Sequence, residues 1–264
     1  MAEPSAEARA LARLYDVDLL DDPGDEDLYL ALARRTGGPI LELGVGTGRL
    51  AEPLAAAGHA VVGVDLDPAM LERARRRMDA AGVDVAGNVE LVEADLLALD
   101  LPDAGRFRLG FIGLNSLFLL ATRDRQRDAL AVLARHLAPD GLAVVDIWLP
   151  DTDDLARFDG RLGLEYVRAD PETGRTVTKT ASARHDPTHA IVDLVALYDE
   201  GGPGEPPARW VRRDPLRLVG ADELRVMAED VGLVVETLAG GYDLEPLAPG
   251  SDRAVLVARK PQRP

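Results

Sequence analysis

The stretch Ile40 to Leu50, ILELGVGTGRL, constrains the fold more than any other part of the chain. Ile40, Leu41 and Leu43 make a short apolar run interrupted by one acid. Gly44, Gly46 and Gly48 follow, and Leu50, Leu54 and Ala57 then recur at helical spacing. The pattern predicts a buried strand, a tight turn and a helix. Glycines in such a turn admit backbone angles closed to other residues and let the chain touch a ligand at a helix N-terminus. A dinucleotide loop needs GxGxxG, but Arg49 stands where the third glycine would fall. The lysine of a GxxxxGK[ST] loop is missing too. The spacing GxGxG therefore points to a nucleoside without a pyrophosphate. Glu42 agrees, because a carboxylate there would repel a diphosphate yet could steady an ammonium group through ordered water. The second strand, Ala60 to Leu66, ends in Asp65, 21 positions after Gly44. A carboxylate at that tip is the usual partner of ribose hydroxyls.

These residues open a longer match. ELGVGTG (Glu42 to Gly48), VGVDLDPAML (Val62 to Leu71), VEADLLAL (Val92 to Leu99), FIGLNSLFLL (Phe111 to Leu120) and HLAPDGLAVVDIW (His136 to Trp148) occur in this order. Together they resemble the class I S-adenosylmethionine-dependent methyltransferases over most of the chain. The resemblance implies an α/β fold: a Rossmann-like, seven-stranded, mostly parallel sheet with helices on both faces. It also implies S-adenosyl-L-methionine as cofactor and S-adenosyl-L-homocysteine as product.

A chain of 264 residues suffices for one large α/β domain with an insertion. It has no cysteine, which excludes disulfides, thiolate metal sites and cysteine nucleophiles. MAEPSAEARA lacks the basic start and apolar core of a signal peptide, and no run of 18 apolar residues occurs, so a soluble cytoplasmic protein that does not enter a membrane is expected. The net charge of −16 argues against a surface that tracks phosphates, and so against nucleic acid as partner. It fits an enzyme acting on a small-molecule methyl acceptor.

Residues 1–36 are expected to form an N-terminal helical cap, with Leu11, Leu14 and Tyr15 on one stripe and a second helix over Leu28 to Arg35. The acidic segment Asp16 to Asp27 between them reads as a solvated loop or, by the resemblance, as part of a lid placing Tyr15 and Tyr29 near the methyl group. Residues 37–150 and 220–264 are expected to make the cofactor-binding domain. Within it Asp67 caps a helix with Pro68 at its first position, and Met70, Ala74 and Met78 repeat along the expected buried side. By the resemblance, Met70 or Leu71 lies against the adenine, Asp95 accepts from the adenine amino group and the Leu96 N–H reaches a ring nitrogen. Asp95 as a turn or cap residue is the alternative. The fourth strand delivers Gly113, Leu114 and Asn115 to the carboxyl edge of the sheet, where open α/β folds bind ligands. The expected cofactor set is thus Tyr15, Glu42, Gly44, Gly46, Asp65, Leu66, Met70, Asp95, Leu96 and Leu114. His136, in the last turn of a helix, suits the macrodipole as a cation.

Residues 151–219 break the α/β rhythm. Leu164 to Ala169, Thr176 to Ala183, Ala190 to Tyr198 and Trp210 to Leu218 are strand-like and separated by turn residues. They predict an inserted antiparallel sheet, which in the resembled family varies with substrate and often forms a homodimer contact. Tyr166, Tyr198 and Trp210 either wall a pocket or form the core of this sheet. His185 and His189 flank the turn DPT, facing each other across a hairpin, but lack a third ligand in sequence, so no metal is assigned.

Displacement at a sulfonium expels a neutral thioether, so positioning can supply much of the rate and a base is needed only for a protonated nucleophile. Asn115, His185, His189 and Tyr242 are candidates to orient or deprotonate it, with Asn115 equally suited to capping a helix. Nitrogen and oxygen acceptors both remain open. Three alternatives stand beside methyl transfer: a cyclisation or rearrangement on the same fold, a non-catalytic cofactor-binding subunit, and a nicotinamide dehydrogenase. The missing third glycine and the lack of a Ser/Tyr/Lys set argue against the last.

Overall fold

The structure, a computed structural model, describes residues 3–202, 204 and 206–262. The helices are α1 (Ala6–Asp18), α2 (Glu26–Thr36), α3 (Ala51–Ala56), α4 (Pro68–Ala81), α5 (Val83–Gly87), α6 (Arg123–His136), α7 (Thr152–Arg157) and α8 (Ala221–Asp230). The strands are β1 (Ile40–Leu43), β2 (Val61–Asp65), β3 (Val89–Glu93), β4 (Phe107–Ile112), β5 (Leu137–Trp148), β6 (Asp159–Ala169), β7 (Thr176–Asp186), β8 (Ile191–Gly201), β9 (Ala208–Arg217), β10 (Val234–Ala239) and β11 (Arg253–Arg259). The chain divides into two compact units. One comprises Pro23–Leu149 and the chain from Val219 onward, the other the chain up to Asp22 with Pro150–Leu218.

The larger unit is the expected seven-stranded sheet, in the order β10-β11-β5-β4-β1-β2-β3. β1 pairs in parallel with both β2 and β4, while β11 runs antiparallel to β5 and β10. Because β1 to β3 build outward on one side and β4 begins on the other, the strand order reverses beside β1. Such a reversal opens a crevice at the carboxyl ends of the strands. All four residues of β1 are buried, as a strand covered on both faces requires. Alternate residues serve opposite faces. Leu109 and Phe111 join a core with Leu32, Leu54 and Leu71 from α2, α3 and α4, whereas Gly110 lies against α6, where a Cβ would come 2.7 Å from the Leu133 side chain. In α4 the Asp67 side chain accepts from the Ala69 N–H, as expected. Its buried residues are Ala69, Leu71, Ala74 and Met78, so Leu71 rather than Met70 continues the core stripe.

The smaller unit is an antiparallel meander, β6-β7-β8-β9, with α1 packed on it. Leu14 and Val17 of α1 meet Val177, Ala196 and Tyr198, with Tyr166 and Trp210 partly buried against them. The three aromatic residues belong to the sheet's core. Polar contacts fix the helix further. Arg13 pairs with Asp170 and, at 2.6 Å, with Glu200, while the Tyr166 and Tyr198 hydroxyls donate to Asp18 at 2.6 and 2.7 Å. The segment read as one cap is therefore divided: α1 belongs to the smaller unit, and α2 packs on α3 and β4 in the larger one. The inserted strands are longer than their apolar runs, since β6 begins at Asp159 and β7 runs to Asp186.

Candidate active site

The chain after β1 turns through Gly44, Gly46 and Gly48 with φ of 83°, 54° and 80°, angles that L side chains rarely adopt. The Gly46 N–H donates to Asp65 Oδ2 at 2.8 Å, and Asp65 Oδ1 accepts from the Asp67 N–H at 2.9 Å. The carboxylate at the tip of β2 thus ties down the glycine loop and the start of α4, with acceptor capacity left over. Burial pushes its pKa up, against the pull of these backbone donors. Arg49, in the place of a third glycine, forms a two-bond pair with the fully buried Asp25, both bonds 2.6 Å.

Glu42 is buried, and among the described residues its Oε2 has no hydrogen-bond partner. Burial drives its pKa well above the usual carboxylate range, with Arg49 opposing and Asp25 and Asp65 reinforcing the shift. A desolvated carboxylate with an unpartnered oxygen beside a glycine loop suits a cation that arrives with a ligand.

At the ends of β4 and β5 the chain builds a second feature. Leu114 and Asn115 both take positive φ, 47° and 63°, and turn the chain off the sheet edge. The Leu114 N–H donates to Asp146 Oδ2 at 2.9 Å. Asp146 is fully buried on β5 and receives three further donors. The Tyr29 hydroxyl reaches Oδ2 at 2.7 Å; the Tyr242 hydroxyl and Arg253 Nη1 reach Oδ1 at 2.9 and 3.0 Å. Burial raises the Asp146 pKa while these donors pull it down. Burial and then the neighbouring carboxylate push both tyrosine hydroxyls above their ordinary range.

A family model for the methyltransferase domain matches residues 40–141, which spans the glycine loop, Asp65 and Asp95. The cypemycin N-terminal methyltransferase of a Streptomyces species is 28% identical over 270 residues, covering 98% of this chain and 100% of that protein. The phosphatidylethanolamine N-methyltransferase of Cereibacter sphaeroides is 32% identical over 149 residues, 51% of this chain and 70% of that protein. The chain belongs to the S-adenosylmethionine-dependent methyltransferases. The CcbJ methyltransferase from Streptomyces caelestis is similar in structure across both units, with 26% identity, a TM-score of 0.77, and coverage of 92% of this chain and 98% of that one.

In the methyltransferase the other expected residues fall into distinct settings. Leu66 is 67% exposed at the tip of β2, and Met70 is partly buried in the first turn of α4. Asp95 is exposed and caps the short 3₁₀ turn Leu96–Ala98, accepting from the Leu97 N–H at 2.9 Å; the cap alternative describes its contacts. Tyr15 is partly buried on α1, with the Arg212 guanidinium 6.0 Å from its ring. Tyr29 is fully buried with its hydroxyl donating to Asp146, not open at a lid.

Several candidates for chemistry have structural work instead. The Asn115 side-chain oxygen accepts from the Trp148 N–H, which joins the ends of β4 and β5, and it makes no cap bond. His185 sits opposite Val192, not His189. The exposed His189 pairs with Asp186 at 2.7 Å, and this bond holds the Asp186 carboxyl below its usual range. The described residues include no group of three or more His, Asp or Glu that could hold a metal. No helix among them is long and apolar enough to cross a membrane. His136 is buried rather than a helix-end cation. Its Nδ1 donates to the Val132 carbonyl at 2.8 Å while its Nε2 accepts from the Leu101 N–H at 3.3 Å, and burial lowers its pKa, so the neutral ring satisfies both partners. Asp146 and Arg253 carry no motif of their own, and the sequence did not mark them.

Proposed function

We propose that the enzyme methylates an amine nitrogen of a small molecule. The observation that carries this reading is the relative aligned over 98% of the chain, inserted sheet included, whose name specifies transfer to an N-terminus. The net charge of −16 supports it, since an amine approaches as a cation.

When bound, the sulfonium supplies a methyl group that leaves behind a neutral thioether. The chain's own work is binding and alignment. We assign the spare lone pairs of Asp65 to the ribose hydroxyls, the buried Glu42 carboxylate to the ammonium end of the cofactor, and the free face of Asp95 with the Leu96 N–H to the adenine. Met70, left out of the core of α4, takes the ring's flank. A bound cation would favour the charged form of Glu42, because an opposite charge offsets the desolvation that raises its pKa. Asn115 and His136 are committed to structural bonds, and His189 of the smaller unit is paired at an exposed turn, so none of these three is assigned as a base. An amine that enters as the free base needs none.

We assign acceptor selection to the inserted sheet. Pairing of two copies is its second role, supported by Leu162, Leu164 and Val167, all more than half exposed on the edge strand β6. Leu164→Arg should then turn a dimer into a monomer in light scattering; a wild-type monomer removes this role.

The test of the amine reading uses trialanine, glucosamine and ethanolamine as methyl acceptors, against N-acetyl-trialanine, N-acetylglucosamine and ethylene glycol. Transfer confined to the amines supports the reading. Transfer to ethylene glycol or to the acetylated probes at equal rate overturns it.

A further inference from the structure

Asp146 gathers donors from distant parts of the chain: Tyr29 lies 117 positions before it and Tyr242 96 positions after it. Each carboxylate oxygen takes two donors, so the acceptor capacity of the buried group is well used. The consequence falls on the tyrosines. A phenol has one proton, and each of these two directs it at Asp146 as a hydrogen-bond donor. What remains on either oxygen is lone pairs. Tyr29 is fully buried, but Tyr242 is only partly so, and among the described residues its oxygen has no other polar partner. The Arg253 guanidinium lies 4.6 Å from the Tyr242 ring and binds the same carboxylate oxygen, which fixes the ring from its face. Tyr242 follows β10, Asp146 lies near the end of β5, and Leu114 follows β4, so the cluster stands at the carboxyl edge of the sheet where ligands bind.

We propose that Asp146 is a positioning residue that turns the Tyr242 hydroxyl inward, so that the Tyr242 oxygen accepts an N–H from the methyl acceptor and aligns its nitrogen lone pair. The amine part of this statement rests on the function proposed above; the orientation of Tyr242 does not. An oxygen without a proton to give discriminates between nucleophiles. It holds an amine by an N–H while leaving the nitrogen lone pair free, and it gives a tertiary amine nothing to bind. Holding one bond of the nucleophile restricts its approach, which is how positioning enters the rate.

Asp146→Asn is close to isosteric but reverses one side of the cluster. Its amide oxygen can still serve Tyr29 and the Leu114 N–H, whereas its NH₂ then faces Tyr242 and Arg253. Tyr242 must accept from it and turn its own proton outward. Tyr242→Phe removes the oxygen altogether.

The experiment is a double-mutant cycle on the full chain with ethanolamine as acceptor, together with NMR of enzyme labelled with ¹³Cζ-tyrosine and loaded with S-adenosylhomocysteine. Tyr242→Phe should lower kcat/KM for ethanolamine roughly tenfold, the loss of one hydrogen bond, while S-adenosylmethionine affinity stays within twofold. Asp146→Asn should cost as much, and the double variant no more than Tyr242→Phe alone. Additive losses, or an equal fall in cofactor affinity, would mean that Asp146 only holds the fold together. In the NMR arm, ethanolamine should shift the Tyr242 resonance but not that of Tyr29, and Asp146→Asn should shift Tyr242 without any ligand. A Tyr242 signal that ignores both overturns the proposal even if no probe is turned over. A signal that responds to Asp146→Asn and equally to ethylene glycol and ethanolamine leaves the orientation standing and removes the amine reading.

Discussion

The Gly46 N–H and the Asp65 carboxylate lie 2.8 Å apart, so the loop after β1 is held by the tip of β2 before any ligand arrives. One side chain fixes the glycine loop and, by the assignment proposed above, also meets the ribose. Asp65→Ala should weaken S-adenosylmethionine binding by more than about 1 kcal/mol, as expected for a lost hydrogen bond to a charged acceptor. It should lower the melting temperature of the ligand-free protein too, since the Gly46 and Asp67 N–H groups lose their partner. Calorimetric affinity equal to wild type would show that the ribose binds elsewhere.

Glu42 gives a prediction with a definite sign. Its folded-state pKa is raised by burial, so the folded protein holds a proton that the unfolded chain releases. The stability tied to this group is present below the unfolded carboxylate value and is lost as pH rises through the folded one. Asp65 and Asp146 are shifted the same way and add to the slope. Glu42→Gln keeps the neutral shape at every pH. The variant's melting temperature should fall less steeply than wild type as pH rises from mildly acid to neutral, and it should be the more stable protein at neutral pH without ligand. Cofactor affinity should move the other way, because the amide cannot meet an ammonium with charge. Parallel melting curves for the two proteins would contradict the upward pKa shift at Glu42.

The legibility of these features follows from how local they are. The glycine loop, Asp65 and the Asp67-Pro68 helix start are written in neighbouring residues, and each appears where the sequence placed it. In α4, Ala74 and Met78 are buried as the spacing predicts, but Leu71 takes the place of Met70, because the two are apolar neighbours and periodicity alone does not choose between them. Asp146 was illegible for a different reason. Within VVDIW it reads as one acid in a strand, and its meaning comes from tyrosines about a hundred positions away on either side. Asp159, Gly160 and Arg161 at the start of β6 lack strand propensity: Asp159 pairs with Arg184 of β7, and the register then shifts across Gly160 and Arg161 before pairing resumes at Leu162. A signal remains for such a hub: a single acid inside the apolar run of a central strand must find donors or carry a large penalty.

Asp25 and Arg49 supply a stability test within the larger unit. Asp25 is fully buried and Arg49 is 19% exposed, so removing the guanidinium strands a carboxylate in the interior. Arg49→Met should destabilise the protein by about 3 kcal/mol or more in urea unfolding, the range for a broken buried pair. Asp25→Asn in the same chain should restore part of that loss, because the amide needs no counter-charge. If the double variant is as unstable as the sum of the singles, the cost lies in packing of the arginine stem and not in the stranded charge.

Arg13 makes the corresponding case in the smaller unit, and there the outcome reports on how the chain is divided. The guanidinium lies between Asp170 and Glu200, both nearly inaccessible, and holds α1 to the sheet. Arg13→Ala leaves two buried carboxylates facing each other without a cation, which favours separation of the helix from β8. Hydrogen exchange should then accelerate in Ala6–Asp18 and Ile191–Gly201 while protection in Ile40–Leu43 and Phe107–Ile112 is retained, since local opening follows cooperative units. Equal acceleration in β1 and β4 would mean that the two units unfold as one, and that α1 contributes to the stability of the seven-stranded sheet as much as to its own.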